Sequence, residues 1–206
     1  MAEKVIYSEA IDPRIKLLKD HFQLKIKTFN RNEIIVNSSN DKNLMGIIVS
    51  GMAYLATINL DYQKRIIDYY EVNDMFCNST MSNLGNNSYY IYSKSKCTVA
   101  FLDHRELLKD STEAFVQLQD YLIINSGKRV LHHIDILSQL NLRNKLLSFF
   151  DYCRKRNNST SFVLPITLSE LAEYLAVDRS AMMREIAKMK AEAIIMSEGR
   201  KITLLE

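Results

Sequence analysis

From Phe29 to about Leu102 the apolar positions come in short runs of alternating or β-branched residues, among them Glu33-Ile34-Ile35-Val36, Gly46-Ile47-Ile48-Val49 and Ala53-Tyr54-Leu55-Ala56-Thr57-Ile58. A period of two predicts strands. Between the runs sit Asn37-Ser38-Ser39-Asn40, Ser50-Gly51, Asn73-Asp74 and Gly85-Asn86-Asn87-Ser88, residue types that accept turn or left-handed geometry. Strands that recur every ~8–12 residues predict a sandwich or jelly-roll β-barrel. Ahead of them, Asp12 to Phe22 reads as a short amphipathic helix, with Asp12 as N-cap and Pro13 at the first helical position.

The period then changes. Residues 111–137 hold no proline and one glycine, and Val116, Ile123, Val130 and Leu137 recur every seven residues. This predicts a long helix with a dimer seam, although Gln119, Ser126 and His133 interrupt the seam with polar groups. A second stripe, Phe115, Leu118 and Leu122, would face the barrel. A single long core helix in a monomer is the alternative. After a break at Ser138-Gln139-Leu140-Asn141, a further helix is predicted from Leu142 to Arg156. Its basic end, Arg154-Lys155-Arg156, complements the helix dipole and needs no nucleic acid to explain it.

The most informative stretch follows Leu164-Pro165-Ile166. Thr167 and Glu170 form a capping-box pattern, starting a helix that buries Leu171, Ala172 and Leu175. Ala176-Val177 makes a turn. Asp178 caps a second helix with Met182 and Ile186 inward and Arg179, Ser180, Met183 and Arg184 on or near the outward side. Such a pair suits a recognition helix laid N-terminus first into the major groove, where an arginine fork bonds guanine O6 and N7 together. Ile194 to Leu204 reads as a β-hairpin turning at Gly199, a wing that offers Arg200 and Lys201 to phosphate. Two short amphipathic helices occur in many folds, so periodicity alone does not establish DNA binding.

Composition narrows the classes. At 206 residues and 47% hydrophobic content the chain can bury a sizeable core. The net charge of +3 falls wholly within residues 139–206, which carry 11 Lys/Arg against 8 Asp/Glu. Cys77, Cys97 and Cys153 show neither disulfide-framework nor C-x-x-C spacing, and are expected to be buried reduced thiols. No apolar run is long enough to span a membrane and the N-terminal residues lack a signal-peptide core, so a cytoplasmic protein is expected. Nucleophile-elbow, phosphate-loop and His-Glu-x-x-His motifs are absent, which argues against an enzyme.

The order of these pieces resembles the cAMP receptor protein/FNR (Crp/Fnr) family of bacterial transcription regulators. The C-terminal resemblance rests on Leu164-Pro165-Ile166-Thr167, Glu170-Leu171-Ala172, Arg179 and the hairpin from Ile194 to Leu204; the N-terminal one on Ile48-Val49-Ser50-Gly51 and Ile66 to Phe76. It implies an α+β chain with a cyclic-nucleotide-binding-like barrel over 1–110, a dimerisation helix over 111–138 and a winged helix-turn-helix over 139–206. It further implies a cytoplasmic homodimer on a near-palindromic promoter site. Thr167, Arg179, Ser180, Met183, Arg184, Lys188, Arg200 and Lys201 are then the expected DNA contacts, and no metal is expected. RNA polymerase stays open as a further partner. Ser180 and Met183 replace the family's usual residues between the two arginines, and Ala176 its turn glycine, so base preference does not transfer.

Cyclic-nucleotide members place a Gly-Glu pair after the strand at Phe76 and an Arg-Ser/Thr pair before the strand at Tyr90. This chain has Asn78-Ser79 and Asn87-Ser88 there. Without the carboxylate for ribose and the guanidinium for phosphate, cAMP is disfavoured. A four-thiolate iron–sulfur cluster needs one more cysteine than the chain has. Haem through Cys77 or one of His21, His104, His132 and His133 remains an alternative, as does a redox response, and the adjacent His132-His133 pair could tune a response to pH. A small-molecule effector other than cAMP would meet the Tyr69-Tyr70 and Tyr89-Tyr90-Tyr92 clusters. The pocket set is Tyr70, Asn78, Ser79, Asn87, Ser88, Tyr90, Asn125, Lys128 and Arg129. A module that binds only a ligand or a protein partner is the rival from another class.

Overall fold

A computed structural model of the chain describes Leu18, Phe22 and residues 24–37, 43–58, 64–78, 89–107 and 113–205. Most of the expected Asp12–Phe22 helix, and the turns at 38–40 and 85–88, lie outside the described residues. The chain divides into two compact units, Met1–Ser126 and Gly127–Glu206.

The first unit is built from β1 (Lys25–Phe29), β2 (Ile34–Asn37), β3 (Leu44–Ser50), β4 (Ala53–Ile58), β5 (Lys64–Tyr70), β6 (Met75–Cys77), β7 (Tyr89–Ser93) and β8 (Cys97–Asp103), followed by the short α1 (His104–Leu107). The strands pair antiparallel in two four-stranded sheets, ordered β1-β8-β3-β6 and β2-β7-β4-β5. This is the double-sheet jelly roll. Its main core draws Phe29, Ile48, Phe76, Cys97, Val99 and Phe101 from one sheet and Ile35, Val36, Ala53, Tyr70 and Ile91 from the other. Alternation along the strands sends the other side chains outward, and Met45, Ile47 and Leu102 are covered there by Leu18, Phe22 and Leu24. Two glycines are dictated by close approach. The Phe76 ring lies over Gly46, where a Cβ would come within 2.1 Å, and Gly51 turns at φ +79° with the Lys96 carbonyl against it.

The cysteines divide. Cys97 and Cys153 are buried as expected, whereas Cys77 is only half-buried, because β6 is an edge strand three residues long; all three are free thiols. Burial pushes the Cys97 thiol up to about 11, which makes it a packing group rather than a nucleophile.

Helix α2 (Glu113–Ser138) takes up the long seven-residue pattern, and α3 (Leu142–Asn157) follows with the Asn141 side chain accepting the Asn144 N–H as N-cap. Val116, Ile123, Val130 and Leu137 are all exposed, from 39% at Leu137 to 72% at Ile123, and Ile124, Leu131 and Ile134 are exposed beside them. Side chains of the second stripe, Phe115, Leu118 and Leu122, lie outside the described set. The basic end of α3 has the structural role anticipated: Arg154 and Lys155 both pair with Asp151, at 2.6 and 2.8 Å.

In the second unit, strand β9 (Ser161–Val163), helices α4 (Leu168–Tyr174) and α5 (Arg179–Ala191), and strands β10 (Ile195–Glu198) and β11 (Lys201–Leu204) complete the fold. Leu146, Phe149, Phe150 and Cys153 of α3 are buried, as are Leu171, Ala172 and Leu175 around α4 and Met182, Ile186 and Met189 of α5. Among the described residues no helix is long and apolar enough to cross a membrane.

Two histidines near the end of α2 are packed into this unit. The His133 ring stacks on Tyr174 at 4.2 Å and its Nε2 lies 3.1 Å from the Tyr174 carbonyl, which can only accept, so Nε2 carries the proton. His132 stacks on Tyr152 at 4.1 Å, with its Nε2 buried and without a hydrogen-bond partner. Burial holds the His132 imidazole below its ordinary value; His133 and Lys155 act the same way, while Asp135 and Asp151 oppose it. Above pH ~6.5 the ring is neutral whether folded or unfolded, and this site adds no pH dependence. As the pH falls below ~6.5 the unfolded chain takes up the proton first, so stability is lost until the depressed folded-state value is passed. The denaturation midpoint of the full chain should therefore drop on acidification in this window more steeply than that of His132→Phe. Equal slopes for the two proteins would show that His132 is not the titrating group.

Candidate nucleic-acid interface

Local hydrogen bonding defines both ends of the helix-turn-helix. The Thr167 hydroxyl accepts the Glu170 N–H at 3.3 Å while the Glu170 carboxylate accepts the Thr167 N–H at 2.7 Å, completing the capping box. Helix α4 ends in a Schellman motif: the Val177 N–H reaches the Ala172 carbonyl and the Ala176 N–H that of Glu173. Ala176 accordingly sits at φ +52°, a left-handed position where alanine costs ~1–2 kcal/mol and glycine nothing. The missing turn glycine is thus a real cost here. Asp178 then accepts the Ala181 N–H at 2.8 Å and starts α5.

With Met182, Ile186 and Met189 turned into the core, the opposite side of α5 is open. Arg179, Ser180, Met183, Arg184 and Lys188 are all exposed. Ser180, Arg184 and Lys188 recur every four residues and so stand one above the other, with Arg179 and Met183 on the neighbouring row. The structure brings this part of the predicted contact set onto one helix face. Thr167 is exposed at the head of α4, and its hydroxyl, used as an acceptor in the cap, keeps a proton to donate.

The wing is a three-stranded sheet ordered β10-β11-β9, with Ile195, Ile202 and Phe162 facing inward. Strand β9 was not anticipated from the sequence. Only the aromatic and β-branched Phe162-Val163 hinted at it, and its pairing partner lies some forty residues away (Ile202↔Phe162). Gly199 turns at φ +56°. Lys201 is exposed, while the Arg200 guanidinium donates to the Leu164 carbonyl at 3.3 Å and so is held on the loop that leads into α4.

Of the predicted effector set, Tyr70 belongs to the sheet-to-sheet core with its ring 5.6 Å from Phe76. Asn78 is fully buried and donates from Nδ2 to the Asn37 carbonyl at 3.2 Å, and Tyr90 is paired with Asn37 across β2 and β7. Asn78 and Tyr90 thus meet the same residue from two strands. Ser79, Asn87 and Ser88, and the side chain of Asn125, lie outside the described residues, and Lys128 and Arg129 fall in the second compact unit. Among the described residues no three of His, Cys, Asp and Glu gather as a metal-holding group.

No protein-family model and no curated protein matches the chain. Solved structures do. The fold, a jelly roll followed by a long helix and a winged helix-turn-helix, is that of the Crp/Fnr regulators. A variant of CooA from Carboxydothermus hydrogenoformans superposes with a TM-score of 0.75 at 17% identity, over 93% of this chain and 86% of that one. A cyclic nucleotide-binding domain containing protein from Listeria monocytogenes EGD-e gives 0.73 at 16% identity, over 92% and 94%. A transcriptional regulator of the Crp/Fnr family from Eubacterium rectale gives 0.63 at 16% identity, over 96% and 92%.

Proposed function

We propose that this chain is a sequence-specific DNA-binding transcription regulator that works as a homodimer. The observation that carries the reading is the open face of α5, where Arg179, Ser180, Met183, Arg184 and Lys188 are exposed on a helix whose other face is buried, next to a wing. That is the geometry of a recognition helix, with arginine forks for base edges and lysines for phosphate. The fold is shared with a structure described as a transcriptional regulator. Residues 1–110 would form the sensor, 111–138 the pairing helix and 139–206 the DNA-binding part. An effector other than cAMP would act near Asn78 and Tyr90, shifting the paired helices by its differential affinity for their two arrangements.

The homodimer follows from surface chemistry. Seven large apolar side chains stand exposed along one helix, a larger apolar surface than a solitary helix leaves to water, and their seven-residue recurrence suits a second copy of the same helix. The full chain should sediment as a dimer and enrich, from random duplexes, a near-palindrome with half-sites ~34–36 Å apart. Replacing Ile123 and Val130 together by aspartate puts four like charges into the seam. The variant should sediment as a monomer and lose about tenfold or more in affinity for the full site. A wild-type chain that enriches no sequence sinks the regulator reading; an aspartate variant that remains dimeric sinks the seam.

A further inference from the structure

Arg143 is the second residue of α3, directly after the Gln139–Asn141 break that ends α2. Its side chain leaves α3 and grips α5 at two places. Nε donates to Glu185 Oε1 at 2.5 Å, while Nη1 and Nη2 donate to the two oxygens of Glu192 at 2.5 and 2.9 Å. Glu185 follows Arg184 in the exposed contact row, and Glu192 is the C-cap of α5. Seven residues separate the two carboxylates, about 10.5 Å along a helix axis at ~1.5 Å per residue. One anchor would leave a helix free to swing about it. Two anchors roughly two turns apart on one rigid planar fork resist both rotation and tilt.

We propose that Arg143 is the positioning residue for DNA reading, setting the orientation of the recognition helix against the helix that follows the pairing helix. The inference rests on the regulator reading above. Arg143 touches no base in this account; it acts by holding Arg184 and its neighbours at the angle the groove requires. The Glu192 carboxylate is held below its ordinary value by the same guanidinium, so the anchor stays charged at neutral pH.

Removing the arginine also uncovers two carboxylates close to phosphate, and the test separates this charge effect from positioning. Affinity is measured on the site selected by the wild-type chain and on a random duplex, for the full-length wild type, Arg143→Met, Arg143→Lys and the triple variant Arg143→Met/Glu185→Gln/Glu192→Gln. Circular dichroism checks the fold of each. Positioning predicts that the ratio of specific to random affinity falls by about tenfold or more in Arg143→Met, the scale of one lost base contact. In the triple variant random-duplex binding recovers while the ratio stays low. Lysine keeps the charge but not the fork, so its ratio stays low as well. A wild-type ratio in Arg143→Met, in Arg143→Lys or in the triple variant overturns the proposal. Should Arg143→Met fail to fold, Glu185→Gln, which removes one anchor only, must still lower the ratio. A wild-type chain that prefers no site takes the regulator reading down with it, a result seen before any variant is made.

Discussion

Arg184→Ala is expected to weaken binding to the selected site by about 1–3 kcal/mol per half-site, or about 2–6 kcal/mol across a dimer, while the fold is unchanged. Arg184 is exposed at the centre of the row formed by Ser180 and Lys188 and contributes nothing to the buried face of Met182, Ile186 and Met189. Its loss should therefore leave the melting curve alone. The kind of loss is as informative as its size. An arginine that reads a guanine edge gives a variant whose preference relaxes at one base position; one that pairs only with phosphate weakens all sequences alike and lowers the salt slope by about one unit. Band-shift titrations on the selected site and on its single-base variants, at two salt concentrations, separate the cases. A variant that binds the selected site as tightly as wild type means that the reading face lies elsewhere.

Phe149→Ala is expected to cost about 3–5 kcal/mol of stability. Phe149 is fully buried, its ring 6.5 Å from Phe150 and 5.5 Å from Tyr174, the last residue of α4 and the ring on which His133 stacks. A cavity there removes packing from α3 and α4 together. In a unit of this size such a loss approaches the whole of a typical folding free energy, and the melting midpoint should fall by about 12 °C or more. Near-UV circular dichroism reports it through the tyrosines, since the chain has no tryptophan. A shift of only a few degrees would mean that Phe149 is not central to the packing of this unit.

Several features were legible because they are made between near neighbours in the chain. Thr167 with Glu170 and Asp178 with Ala181 satisfy helix-end N–H groups three residues away, so the residue types alone announce where α4 and α5 begin. The period-two runs of β3 and β4 and the seven-residue recurrence of α2 are likewise local consequences of strand and helix geometry. The outward set Arg179, Ser180, Met183 and Arg184 followed from the inward set Met182 and Ile186, since a helix that buries one face must show the other.

Other features depend on how elements dock, and no local pattern carries that. Arg143 meets carboxylates 42 and 49 residues further along, His133 meets a carbonyl 41 residues away, and Asn78 meets one 41 residues before it. Strand β9 exists as a strand only because β11 offers it an edge. Tyr70, a candidate for the effector pocket on residue type, is a member of the sheet-to-sheet core because the strand phase turns it inward. The sequence by itself determined the kinds of elements, their ends and the face each must bury, since these arise from hydrogen bonds and periodicities spanning a few residues. Only the tertiary structure decided which distant charges and rings meet, because a contact closed over some forty residues is set by the packing of whole helices and sheets.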